Sequence, residues 1–436
     1  QLLTIETREF TEDIKEADYR TVPLLDKASA SILGNRKMGS MVDMVSQFEV
    51  AEDYTQLNYQ GKPVRVTPLV YADTIKWLTN QSEGIPAYIR IDMTTQDTEC
   101  VQLTERIKYS KSEYFNRNIY RHLRFQYPTY IFDDQIFFEI DDEGVPYWIC
   151  PVKRFNIGLF GGQTVGNVVI CNAVTGECTD YPIGEVPQWV DKVFSAERLI
   201  ELYDYAGTLK HGFWNSKFGQ RDCLQTSNGY NYIALEDDVW VYTGVTSVSG
   251  DQSNVGFVLM NQRTMETRYY QIEGAIEDSA MYSAQGQVQH LGYQATFPLL
   301  LNIADEPTYF MALKDSAGLV KQYAMVNVQK YQWVAIGSTV MECEKNYMEL
   351  LNTNGIVSSQ EEEWRNISGT ITTIAPIVVD GTSHYYLYIE GNDAIFDVDL
   401  GNEELLPIIG YQVGDRIRVF YEEGYGVHEV RAIEGV

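Results

Sequence analysis

The segment Gly212-Phe213-Trp214-Asn215-Ser216-Lys217-Phe218-Gly219-Gln220 places three aromatic rings and several polar side chains between flanking glycines. Such a loop suits stacking on a sugar or clamping a peptide: Trp214 gives the flat face and Asn215 or Gln220 the hydrogen bonds. Phe213, Trp214, Asn215 and Gln220 are therefore the candidate ligand-binding residues. The alternative is a loop that plugs its aromatics into the core. Oxygen ligands for a Ca²⁺ ion are on offer at Asp133-Asp134, at Asp141-Asp142-Glu143 and at Glu236-Asp237-Asp238. Their spacing is not that of an EF-hand loop, and solvated hairpin turns are the preferred reading, so no metal is expected.

The histidines, His122, His211, His290, His384 and His428, lie far apart, and none has a second His at ligand spacing. There is no HExxH, GxSxG, Walker A or Rossmann glycine pattern in context. No catalytic residue and no cofactor are expected, and the chain reads as a non-enzyme. A hydrolase using paired carboxylates is kept as a second alternative, although no such pair stands out. The six cysteines include no CxxC pair. Cys171 and Cys178 flank the turn Asn172-Ala173-Val174-Thr175-Gly176-Glu177, where a cross-strand disulfide forms if the two Cα atoms come within about 7 Å. Six reduced thiols is the preferred expectation.

A chain of 436 residues holds two to four domains of ordinary size. Its formal charge of −28 argues against nucleic acid, whose phosphates are bound through Lys and Arg, and repels an anionic lipid surface. Tyrosine, with 31 copies, suits half-buried strand faces. No run of 18 apolar residues is present for a membrane span. A chain opening on Gln1 reads as the soluble part of a longer protein, its anchor lying outside this sequence.

Strand–turn–strand units recur. Phe138 to Val152 and Val168 to Tyr181 form the clearest pair of hairpins, with Asn and Thr-Gly supplying the turn chemistry. Weaker pairs run over Gly61–Val66 and Tyr88–Glu99, over Tyr230–Tyr242 and Phe257–Glu266, and over Leu299–Met311 and Tyr323–Val328. Helices are expected at Ala72–Leu78, Ser112–Phe125, Ser195–Tyr205, Glu277–Leu291 and Thr339–Leu351. The tail differs: five short strands from Gly369 to Ile433 predict a small Greek-key barrel of OB type.

The helix followed by "EIDDEGVPYWICPV" and "VVICNAVTGECTDY" resembles the PepSY family. Stretches such as "RHLRFQYPTYIFDD", "GFWNSKFGQ" and "LVKQYAMVNVQKYQ" resemble membrane-anchored extracytoplasmic proteins of Gram-positive bacteria. The resemblance implies repeated modules, an extracytoplasmic place on the cell surface and an envelope or peptidase-regulating role. The expected fold class is therefore α+β: repeated helix plus antiparallel β-hairpin (PepSY-like) modules, followed by a small all-β OB-like barrel. The expected divisions are 1–110, 111–208, 209–357, an acidic linker at 358–366 and the barrel at 367–436. The expected function is non-catalytic interaction, scaffolding or regulation at the cell envelope. Its partner would be an envelope or membrane protein, with a glycan or peptide as the alternative and no nucleic acid. Contact with a membrane is expected only through the absent anchor.

Overall fold

The computed structural model describes residues 3–17, 22–23, 26–155, 163–248, 253–356, 365–379, 382–392, 394–422 and 427–435. It divides into two compact units, Gln1–Leu351 and Asn352–Val436. Strand outweighs helix, 44% against 24%. The expected α+β class of repeated PepSY-like helix-and-hairpin modules is overturned: the protein is mostly β, built from several sheets and a closed barrel.

Four antiparallel meanders carry the larger unit. The first runs through Thr55–Tyr59, Lys62–Tyr71, Ile85–Asp92 and Thr98–Ile107, and the second through Phe137–Ile140, Pro146–Phe155, Gln163–Asn172 and Cys178–Pro182. Asn231–Leu235, Asp238–Ser247, Gly256–Asn261 and Thr267–Tyr270 make the third. Leu299–Ile303, Glu306–Lys314, Val320–Asn327 and Val334–Gly337 make the fourth.

Local chemistry explains the meanders. The opening turns at Gln60-Gly61, Glu236-Asp237 and Ala304-Asp305 have positive φ at both residues, the twist that two-residue hairpins need. The third and fourth strands of the first three sheets share one turn. Asp92, Asn172 and Asn261 each accept two backbone N–H groups on their side-chain oxygen, from Thr94 and Thr95, from Val174 and Thr175, and from Arg263 and Thr264. Two residues past each turn Thr, the backbone N–H of Asp97, Glu177 and Glu266 donates to that threonine's Oγ1. The turns are thus the same machine with interchangeable Asp and Asn.

Both faces of the middle sheets are apolar. On the second sheet Trp148, Cys150, Val169 and Cys171 pack toward the first, whereas Ile149, Val168 and Ile170 pack toward the third. On the third sheet Val241, Val258 and Met260 continue that core, while Trp240, Tyr242, Phe257 and Leu259 join Tyr309, Met311 and Val326 of the fourth. This two-sided burial is the reason for the corrected fold class: such strands need cover on both faces, and neighbouring sheets supply it. Trp148 and Trp240 are fully buried, and each indole N–H donates to a carbonyl, of Tyr109 at 2.8 Å and of Leu235 at 2.9 Å. Truncating buried aromatics of this kind costs about 3–5 kcal/mol. The helices Ile119–Gln126, Ala196–Thr208 and Glu277–Gln287 are connectors between successive sheets.

The first strand of every meander faces one central cavity, so the sheets stand as propeller blades about it. The N-terminal segment closes the ring. Ile5–Arg8 pairs in parallel with Thr267–Tyr270 at the edge of the third sheet. Asp13 accepts from Tyr270 Oη at 2.8 Å, and Ile14 O from Asn302 Nδ2 of the fourth sheet, also at 2.8 Å. Asp26 caps the helix Lys27–Gly39, which lies on the first sheet, and pairs with Lys314 of the fourth at 2.6 Å.

In the smaller unit Arg365–Val379, Thr382–Ile389, Ile395–Asp399, Val427–Gly435 and Arg416–Glu422 close into a barrel in that order. Among the described residues of this unit only Ile395–Asp399 and Val427–Gly435 pair in parallel. Leu387, Phe396, Val398, Ile408, Ile417 and Val419 fill it. Of the expected acidic linker at 358–366, residues 358–364 lie outside the described residues.

Candidate functional site

The central cavity has a volume of about 960 Å³. Each sheet brings part of its wall: Gln56 and Arg65 from the first, Phe137 from the second, Tyr232 from the third, and Phe310 and Lys314 from the fourth. Helix Lys27–Gly39 adds Lys27, and the segment before Ala196–Thr208 adds Lys192. The size suits a small organic molecule.

Its charge runs against that of the whole chain. Among the lining residues Lys314 is paired with Asp26 at 2.6 Å and Lys111 with Asp53 at 2.9 Å. Asp134 is held at 3.1 Å by Lys153 outside the lining. Lys27, Arg65, Lys192 and Glu197 complete the charged lining, and the Glu197 carboxylate accepts from Tyr230 Oη at 2.7 Å. In a protein of charge −28, the lining of this cavity holds five Lys and Arg side chains against four carboxylates. Arg65 is buried on a strand between Val64 and Val66, and its guanidinium donates to Gln56 Oε1 at 3.4 Å. Burial lowers its pKa. Gln56 is 5% exposed, and its Nε2 has no hydrogen-bond partner among the described residues. A buried amide N–H₂ in that state costs stability until an acceptor arrives.

Lys192 is positioned by a buried carboxyl. Glu139, on the inner strand of the second sheet, accepts the backbone N–H of Asp191 at 2.9 Å and of Lys192 at 2.8 Å. Asp191 accepts the Asn58 N–H at 2.7 Å. With its backbone fixed, Lys192 carries its ammonium 4.6 Å from the Phe137 ring centroid and 5.9 Å from that of Tyr232. Burial lowers its pKa from 10.5 to about 8, against the opposing pull of Glu197 and Glu139. Burial also raises Glu139 from 4.5 to about 8, and burial together with Glu139 pushes Asp191 well above its usual value.

The four residues singled out from sequence lie elsewhere. Phe213 and Trp214 are exposed and face one another at 5.8 Å edge to face. Asn215 builds the loop: its Nδ2 donates to Arg221 O at 2.9 Å and its Oδ1 accepts the Arg221 N–H at 3.2 Å. Gln220 ends a single π-turn over Asn215–Gly219 in the left-handed conformation. None of the four lines the cavity. A sequence signal for the cavity does exist: Arg65 is a charge set between Val64 and Val66 in a strand whose other charge, Lys62, stands at its end.

The remaining candidates are occupied structurally. Asp141 accepts the N–H groups of Glu143 and Val145, Glu236 pairs with Arg268 at 2.7 Å, and Asp238 with Arg263 at 2.7 Å. His122 Nε2 donates to Gly176 O at 2.7 Å, and His384 Nδ1 to Asp397 at 2.8 Å. Among the described residues no group of three or more His, Cys, Asp or Glu side chains gathers to hold a metal. The expectation of six reduced thiols is corrected: Cys171 and Cys178 form a disulfide. They are direct partners at a non-hydrogen-bonded position, where strands approach most closely, and their Cα atoms are 4.1 Å apart. Burial raises the thiols of Cys150, Cys343 and Cys100. No helix among the described residues is long and apolar enough to cross a membrane.

No protein-family model matches the sequence, and no curated protein does. Two solved structures show a distant likeness. One is an ACO/RPE65 chimera, 7% identical with a TM-score of 0.16, over 88% of this chain and 65% of that one. The other is a levansucrase of B. megaterium, 9% identical with a TM-score of 0.21, over 98% of this chain and 95% of that one. At these scores neither likeness assigns a family, a fold or an activity.

Proposed function

We propose that this chain is a non-catalytic binding protein of the cell envelope whose four-sheet body takes an organic anion in its central cavity. The carrying observation is that Lys27, Arg65 and Lys192 line one cavity together with Gln56 in an otherwise strongly acidic chain. Phe137, Tyr232 and Phe310 add aromatic surface to a wall that also holds Thr55, Asn231 and Gln262, which fits a carboxylate or phosphate on a ring-bearing body. The disulfide supports a place outside the cytoplasm, where such bonds persist. A binding role is favoured over chemistry because Asp26, Asp53 and Glu197 already serve Lys314, Lys111 and Tyr230. Regulation or scaffolding of an envelope partner would follow from ligand occupancy.

The test is calorimetric titration of the purified chain with inorganic phosphate, a sugar phosphate and an aromatic carboxylate. Saturable binding of one of them, weakened about ten- to hundredfold in Lys192→Gln, is expected from the loss of one charge-assisted hydrogen bond. No binding of any anion, or equal binding by the variant, refutes the cavity assignment. Turnover of a bound anion that one substitution abolishes refutes the non-catalytic reading.

A further inference from the structure

We propose that the Gly212–Gln220 loop is a membrane-contact element that seats its three rings among the headgroups of an anionic bilayer. Trp214 is 73% exposed, Phe218 80% and Phe213 59%. Trp214 and Phe218 stack on each other, with centroids 5.8 Å apart and planes at 18°. Three contiguous rings held in water carry a steady hydrophobic cost, and such a patch marks a surface that is covered in use.

The frame behind the rings is built. The Asn215 carboxamide bridges both backbone groups of Arg221, and the Gln220 N–H donates to Asn215 O at 2.6 Å. Cys223, buried, ties the far end of the loop to Thr208 O of the preceding helix. The rings are therefore presented by a fixed turn.

Charge decides the occupant. Residues 209–222 hold Lys210, Lys217 and Arg221 against one carboxylate, Asp222, which His211 Nε2 approaches at 3.1 Å and Arg221 Nε at 3.8 Å. This stretch is locally basic. The charge of −28 belongs to the whole chain, and at physiological salt charges beyond roughly 8 Å are largely screened. A headgroup at the loop therefore feels the lysines and the arginine first. Aromatic rings with Trp among them, flanked by Lys and Arg, form the pattern that partitions into anionic interfaces. Of the two amides that could bond a sugar on a glycan platform, that of Asn215 is already engaged.

The test is flotation of the full chain with vesicles of phosphatidylcholine and phosphatidylglycerol in equal parts, beside vesicles of phosphatidylcholine alone. Binding to the anionic vesicles is expected, weakening with added salt. It should fall about tenfold or more in Trp214→Ala/Phe218→Ala and again in Lys217→Glu/Arg221→Glu. Tyr282→Ala, which removes an exposed ring from Glu277–Gln287, should bind as the parent does. Unchanged thermal midpoints show that the variants fold. Brominated phosphatidylglycerol should quench Trp214, a signal lost in Trp214→Phe. No vesicle binding, equal binding by both loop variants, or no quenching overturns the proposal. So does self-association without lipid that the loop variants abolish, which would assign the rings to a second copy of the chain.

Discussion

Glu139 accepts the backbone N–H of Asp191 at 2.9 Å, and the carboxyl groups of both buried residues feel one another's charge. Burial raises both, Glu139 to about 8. The sign follows directly. Below the unfolded values both states are protonated and the pair costs nothing. From there up to about pH 8 the folded state holds protons that the unfolded chain has released, so stability falls as pH rises. Asp191→Asn removes one of the two groups. Its thermal midpoint should fall less than that of the parent between about pH 5 and pH 9. Parallel midpoint curves would show that the pair does not titrate in this range.

The ammonium of Lys192, lowered to about 8, sets a second pH dependence. It is charged below that value and neutral above it. Anion affinity should be level below about pH 8 and decline above it, and a bound anion should move the bend to higher pH. Calorimetric titration at several pH values reads this. In Lys192→Arg, whose guanidinium keeps its charge, the bend should vanish.

The disulfide closes a small loop, because Cys171 and Cys178 are seven residues apart. A loop of that length corresponds to about 2 kcal/mol of chain entropy. Cys171→Ser/Cys178→Ser should lose about that much in urea unfolding, with the slope unchanged. A loss near zero would mean that the hairpin holds its register without the bond.

Gly176 sits in the same turn with φ of +78°, and a Cβ there would come within 2.3 Å of the Tyr109 ring. Its carbonyl accepts from His122. Gly176→Ala combines backbone strain with a clash and should cost about 1–3 kcal/mol. Tyr109→Ala/Gly176→Ala should recover the clash component in a double-mutant cycle. Full additivity would place the whole cost in the backbone.

What is legible in this sequence is what short-range chemistry decides. The turn at Asn172 can be read because Asn, Thr and Gly act on groups within five residues of one another. The same grammar at Asp92 and Asn261 locates two more hairpins. How the hairpins assemble is another matter. The runs around Trp148 and Trp240 are apolar on both faces, and that pattern accepts a helix or a second sheet as its cover. Helices between the hairpins suggest the first, whereas the structure uses the second. The cavity is hidden for a further reason. Lys27, Arg65 and Lys192 meet only once the ring is closed, and nothing near any of them in sequence announces the others. The aromatic loop stands out on composition alone, yet whether its rings face inward or outward depends on Asn215 folding back on Arg221.

Ile5–Arg8, Ile14 and Asp26 make contacts with residues that follow them by hundreds of positions: Thr267–Tyr270, Asn302 and Lys314. During synthesis they leave the ribosome before those partners exist. The body therefore cannot mature in order of translation; it must wait, like a belt whose buckle is sewn on last. A chain interrupted before the fourth sheet lacks Phe310 and Lys314, and with them one wall of the cavity. The full cavity wall therefore exists only once the chain has been made through its fourth sheet.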